Sequence, residues 1–205
     1  STLIDETADL VSAAKKISAS KSFDNATSCS SENSIVILDE VYEKAIAALK
    51  NEGGTMLSQE EKHNLQNALW TQGRLNPALI AKSALEIAGV IGLQRPQINK
   101  LKMLMVEETE TGSEYPFSGE KLCPVLTVYR AKNFEDACQQ VKKIYEFQGK
   151  GHSVGLHSKD ESRPLEMGLS LPACRVIVNQ SHCFATGGSF DNGLPFSLSM
   201  GCGTW

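Results

Sequence analysis

No apolar run in this sequence approaches the roughly 20 residues needed to cross a bilayer, and its first residues lack the basic-then-apolar layout of a secretion signal. Both absences predict a cytoplasmic protein with no membrane partner. There is no basic tract and no interleaving of basic with aromatic residues. Twenty Lys and Arg stand against 24 Asp and Glu, a formal charge of -4, so no nucleic acid is expected as a partner. No Cys-x-x-Cys occurs, and six cysteines without a secretion signal read as reduced thiols, not as a disulfide framework. Cys174, His182, Cys183 and Cys202 come nearest to a metal cluster, but no second closely spaced pair completes four ligands, so no metal is expected. A G-x-G-x-x-G loop and a Walker lysine are both missing, which leaves a nucleotide without a phosphate cradle.

What is present is an ordinary globular composition: 205 residues, 41% hydrophobic and 21% charged, enough for one domain with one sizeable core. Leu10, Val11, Ala14 and Ile17 share one face of a helix. After the Ser- and Asn-rich stretch 21–34, residues 35–38 read as a short buried strand, and a helix over about 40–50 stops at Gly53 and Gly54. Ser58 caps a helix running to about Leu69, and a short helix is expected near 83–90. Strands are expected at 103–106 and 125–129, with Glu120 on the loop between them. The clearest helix starts at Asn133: Phe134, Ala137, Val141, Ile144 and Tyr145 recur at helical spacing and Gly149 ends it. A strand at 152–156, a helix at 162–171 and a strand at 175–179 follow. This alternation predicts a three-layer α/β domain on a mainly parallel sheet. Beyond Asn179 the pattern dissolves, and the chain stops at Trp205 without a closing element, as an excised segment would.

Two positions suit chemistry. Cys29 sits among hydroxyl and amide side chains outside any apolar period, where a thiolate can be reached and stabilised; a loop thiol without a role fits the same surroundings. Cys123, Cys138 and Cys174 lie beside or within apolar segments and read as small core residues. His152 lies between glycines that leave room for a ligand, and a histidine there could shuttle a proton from a thiol; a hydrogen-bonded strand-end histidine is the plainer reading.

Taken together, Ser22-Phe-Asp-Asn-Ala-Thr-Ser-Cys-Ser-Ser-Glu-Asn-Ser, Glu120-Lys-Leu-Cys-Pro-Val, Gly149-Lys-Gly-His-Ser and Gly201-Cys-Gly-Thr-Trp resemble, in order and spacing, the CoA-acylating aldehyde dehydrogenases. The resemblance implies that Cys29 is the acylated nucleophile, that His152 assists thiol exchange, and that Glu120 meets the nicotinamide-side ribose of NAD or NADP. It implies an aldehyde and coenzyme A as partners. It also implies that residues 1–205 are the catalytic domain of a longer, homo-oligomeric enzyme, lacking an N-terminal Rossmann-like half and a C-terminal oligomerisation segment. An oxyanion-hole side chain would then come from elsewhere, leaving the Cys29 backbone N–H as the donor within this chain. The stretch 179–196 is most similar to enzymes acting on sulfoacetaldehyde, with succinate semialdehyde, acetaldehyde or propanal as alternatives. There Arg175, His182, Gly187 and Gly188 are the expected contacts to an anionic substrate group. A non-catalytic α/β interaction module is the rival of another class.

Overall fold

A computed structural model describes residues 1–188, 192, 195 and 196. The Gly201–Trp205 motif, Cys202 and part of the 179–196 stretch therefore lie outside the described residues.

Among the described residues, nine strands and seven α-helices follow in order: β1 (Thr2–Ile4), α1 (Leu10–Ser22), β2 (Ser34–Leu38), α2 (Tyr42–Asn51), β3 (Gly54–Met56), α3 (Gln59–Leu69), β4 (Trp70–Thr71), β5 (Arg74–Leu75), α4 (Ala84–Val90), β6 (Met103–Glu107), β7 (Val125–Ala131), α5 (Phe134–Phe147), β8 (Ser153–His157), α6 (Arg163–Ser170), β9 (Arg175–Val178) and α7 (His182–Thr186). Seven strands form one sheet in the order β3-β6-β7-β2-β1-β8-β9, and every pairing in it is parallel. β4 and β5 make a separate antiparallel hairpin. β2 and β8 are buried along their whole lengths; β2 accordingly reads as an unbroken apolar run after Ser34, whereas β8 buries the polar Ser153 and His157 as well. The expected α/β architecture with a mainly parallel sheet is the one observed.

Helix starts follow their caps. Asp9 accepts the Ser12 N–H at the start of α1, and Ser58 with Glu61 and Ser83 with Glu86 form reciprocal capping boxes on α3 and α4. α5 buries Phe134, Ala137, Cys138, Val141, Ile144 and Tyr145 on one face. A second apolar cluster gathers Leu65, Leu69, Ile87, Leu104, Phe117 and Cys123.

As expected, a glycine stops α2: the helix ends at Asn51, Glu52 caps it, and Gly53 turns the chain with φ +96°, while Gly54 already belongs to β3. Two expectations need correction. The tract after Asn179 holds a helix, α7, that folds back along α1: Cys183 N–H donates to Ser20 Oγ at 3.0 Å. Cys174 is exposed, unlike Cys123 and Cys138, because it precedes the edge strand β9, whose residues are mostly half-buried.

At the carboxyl ends of the strands, where parallel sheets usually offer a ligand crevice, an ion cluster lines the crevice. Arg163 on α6 meets Asp5 at 2.5 Å and Glu6 at 2.6 Å, both just beyond β1, and its guanidinium lies 4.7 Å from the centre of the Phe134 ring.

Candidate active site

The cleft that gathers the chemistry opens at the opposite edge. Residues leading into four strands line it: Ser1 before β1, Cys29, Ser30, Ser31 and Asn33 before β2, Ser118 to Glu120 before β7, and Gln148, Gly149 and His152 before β8. His182 of α7 and Ser153, Ile144 and Tyr145 complete its wall, around a volume of about 440 Å³. That is space for a small molecule and falls short of a whole dinucleotide.

The loop bearing Cys29 starts with an abrupt reversal. Asp24, Asn25 and Ala26 all have positive φ (47°, 49° and 60°), a conformation Asp and Asn tolerate best. Thr27 Oγ1 donates to the Asp24 carboxylate at 2.6 Å, and Asn25 Nδ2 donates to Ala81 O at 2.9 Å, which hold the reversal. A turn follows: Ser31 N–H donates to Ser28 O at 2.9 Å, so Cys29 forms its exposed tip and Ser30 its buried flank. Asn33 then fixes the neighbouring loop. Its Oδ1 accepts the Lys121 N–H at 3.2 Å and its backbone carbonyl accepts from Thr127.

Glu120 projects into solvent at the rim, with its backbone N–H held by Gln148 Oε1 at 2.8 Å. Beneath it, the fully buried Lys121 donates to Phe117 O at 2.7 Å and Gly119 O at 2.8 Å, stapling the loop; burial holds this amine well below its usual range.

Two more buried charges stand behind the Cys29 turn. Burial pushes the Glu32 carboxyl up to about 7, against hydrogen bonds from Ser20 and from the His182 N–H, the latter at 3.2 Å. Burial likewise brings the Lys21 amine down to about 8, opposed by the nearby Cys123, Glu32 and Glu120; its Nζ has no hydrogen-bond partner among the described residues.

His152 stands half-buried at the start of β8. Its Nδ1 accepts the Ser153 backbone N–H at 2.8 Å and lies 2.9 Å from Ser153 Oγ. That hydroxyl is 2.6 Å from Nε2 of His182, whose Nδ1 is 3.4 Å from Thr2 Oγ1. Gly155, paired with Thr2 across the sheet, leaves room for the threonine hydroxyl, which a Cβ there would strike. Burial, aided by the charge of Arg175, depresses both imidazoles, His182 well below the usual range.

The structure thus brings Cys29, Glu120, His152 and His182 to one cleft. Arg175 opens β9 opposite Ser153, close enough for its charge to reach both histidines, but does not line the cleft. His182, expected as a cationic contact, is held neutral inside a hydrogen-bonded chain. Gly187 caps α7 and Gly188 packs against the Pro195 backbone with φ +89°; neither lines the cleft. Sequence reasoning passed over Ser153, Glu32 and Lys21, whose burial no motif announces, and over the exposed Gln148, whose contact to Glu120 none announces either. Among the described residues, no group of three or more His, Cys, Asp or Glu side chains stands ready for a metal, and no helix is long and apolar enough to cross a membrane.

No protein-family model matches the chain. Across the span it covers, the chain is nevertheless similar in sequence and in fold to acylating aldehyde dehydrogenases. It superposes on an acetylating aldehyde dehydrogenase from Geobacillus thermoglucosidasius with a TM-score of 0.91 and 37% identity, covering 98% of this chain and 44% of that one. It is 55% identical to sulfoacetaldehyde dehydrogenase (acylating) of Cupriavidus necator over 99% of its own length and 41% of that protein. It is 38% identical to sulfoacetaldehyde dehydrogenase of an Acholeplasma species, over 99% of its length and 42% of that protein. The chain spans about two fifths of the length of these relatives.

Proposed function

We propose that this chain is the catalytic-cysteine portion of an NAD(P)-dependent, CoA-acylating aldehyde dehydrogenase, acting on a short aldehyde with an anionic group, sulfoacetaldehyde foremost. The observation that carries the reading is that Cys29, Glu120 and His152, from three loops far apart in sequence, meet in one cleft of substrate size. The similarity to sulfoacetaldehyde dehydrogenases supports the substrate.

In this reading the Cys29 thiolate adds to the aldehyde carbonyl. The exposed turn lets a carbonyl approach, and the Cys29 backbone N–H serves the developing oxyanion. Bound nicotinamide would supply the hydride acceptor that converts the Cys29 adduct to a thioester. Glu120, exposed at the rim on a backbone pinned by Gln148, is the residue placed to meet its ribose. The remainder of the dinucleotide needs a cradle outside these residues, in the Rossmann-like half that the family would place ahead of this chain. Coenzyme A then takes the acyl group beside His152, and Cys29 is released. With His182 neutral, the counter-charge for a sulfonate falls to Arg175, which does not line the cleft and acts through its field at a distance.

The test is CoA-dependent NAD(P)H formation by the intact enzyme with sulfoacetaldehyde, succinate semialdehyde and propanal. We expect sulfoacetaldehyde to give the highest kcat/KM, Cys29→Ser to abolish turnover, and Arg175→Ala to lower the preference for the sulfonate by a few-fold, as loss of a charge acting at a distance would. Aldehyde oxidation without CoA would assign a hydrolytic enzyme, and a preference for propanal would remove the anion site.

A further inference from the structure

A neutral imidazole has one N–H and one in-plane lone pair. A backbone N–H can only donate, so the 2.8 Å bond from Ser153 N–H to His152 Nδ1 places the lone pair on Nδ1 and the proton on Nε2. Protonating Nδ1 would set two N–H groups head to head, in a half-buried place that already disfavours a cation. An unprotonated Nδ1 can only accept, so the Ser153 hydroxyl, 2.9 Å away, also turns its proton to it and accepts from His182 Nε2–H at 2.6 Å. His182 is then the Nε2–H tautomer, and its Nδ1 lone pair faces the Thr2 hydroxyl at 3.4 Å. Its backbone is fixed by Glu32, and Gly155 keeps the space that the Thr2 hydroxyl needs. A continuous chain of assigned protons thus runs from β1 to the cleft. Among the described residues, Nε2 of His152 has no hydrogen-bond partner, and His152 lines the cleft.

We propose that Ser153 and His182 are positioning residues that lock His152 as its Nε2–H tautomer, so that it meets a ligand in the cleft as a hydrogen-bond donor and not as the base that deprotonates an incoming thiol. The tautomer stands on the geometry alone; the role in thiol exchange rests on the function proposed above. The expectation of a proton shuttle gives way because a shuttle needs a free lone pair, and this ring has none. Coenzyme A would instead attack as a thiolate already ionised in solution, while the Nε2–H holds the thioester oxygen or the departing Cys29 sulfur.

Ring nitrogen–proton correlation spectra of the 205-residue chain, with its four histidines assigned by single substitutions, test the lock directly. We expect both His152 and His182 as Nε2–H, and a partial loss of the His152 preference in Gly155→Ala or His182→Ala. An Nδ1–H or evenly mixed His152 in the wild type overturns the proposal. The role is read by acyl transfer from pre-acylated Cys29 to CoA in the intact enzyme. His152→Gln keeps an N–H near the Nε2 position and should stay within about tenfold of wild type, while His152→Ala falls by about a hundredfold. Equal losses in the two variants would make His152 a base and refute the donor role. Failure of the wild type itself to transfer to CoA would sink the proposed function and the role with it, leaving the tautomer to the spectra.

Discussion

Glu32 accepts the backbone N–H of His182 at 3.2 Å, tying the stretch that carries Cys29 to the start of α7. Its carboxyl lies at about 7 in the fold, against an ordinary 4.5, with burial as the main cause. Between those values the folded chain holds a proton that the unfolded chain has released. The stabilisation from this group is therefore complete below pH 4.5 and is lost as pH rises to 7, by about 3 kcal/mol at ~1.36 kcal/mol per pH unit. Glu32→Gln keeps the shape without the titration. Urea unfolding at pH 4.5 and 7 should show the wild type losing that much relative to the variant; parallel pH profiles would disprove the burial of an ionisable Glu32.

Arg163 faces Asp5, whose side chain is fully buried. Removing the guanidinium strands a buried carboxylate, which typically costs about 3–5 kcal/mol. Arg163→Ala should therefore lower the unfolding midpoint strongly, and adding Asp5→Asn should restore part of the loss. A single variant as stable as wild type would show the pair to be solvated.

Alkylation with limiting iodoacetamide should divide the thiols by access. Cys29 and Cys174 are exposed; Cys123, Cys138 and Cys183 are buried, and burial raises the thiol pKa of all three, to about 11 for the last two. Peptide mapping should find the label on Cys29 and Cys174 first, with an aldehyde or CoA analogue shielding Cys29 alone. Early labelling of Cys123 or Cys138 would contradict the packing.

Gly188 has φ +89°, and a Cβ there would run into the Pro195 backbone. Gly188→Ala should destabilise by about 1–3 kcal/mol through strain at a left-handed position. An unchanged unfolding curve would separate Gly188 from Pro195.

Long periodic elements were legible before any coordinates. α5 carries six buried apolar residues at helical spacing, and a capping box marks α3. β1 and β3 span three residues each and α7 five, too short for a period to declare itself. Cys29 and His152 stood out through their polar and glycine-rich surroundings and the family resemblance. Ser153 and Glu32 did not, because a serine or glutamate in sequence carries no sign of burial, and their weight comes from contacts with residues 29 and 150 positions away. Cys174 misled because its neighbours are apolar, yet they belong to an edge strand.

The cleft and the Arg163 cluster occupy opposite edges of one sheet. A strand rises about 3.3 Å per residue, so the five residues of β2 alone set those edges roughly 16 Å apart. The carboxyl edge is therefore a safe place to hold the molecule. Lys132 and Lys159 are exposed in the loops after β7 and β8. An amine-reactive dye or a surface tether attached there would leave the Cys29 side facing open solution, so that a sensor chip or a single-molecule experiment could watch aldehydes and thiols arrive unobstructed.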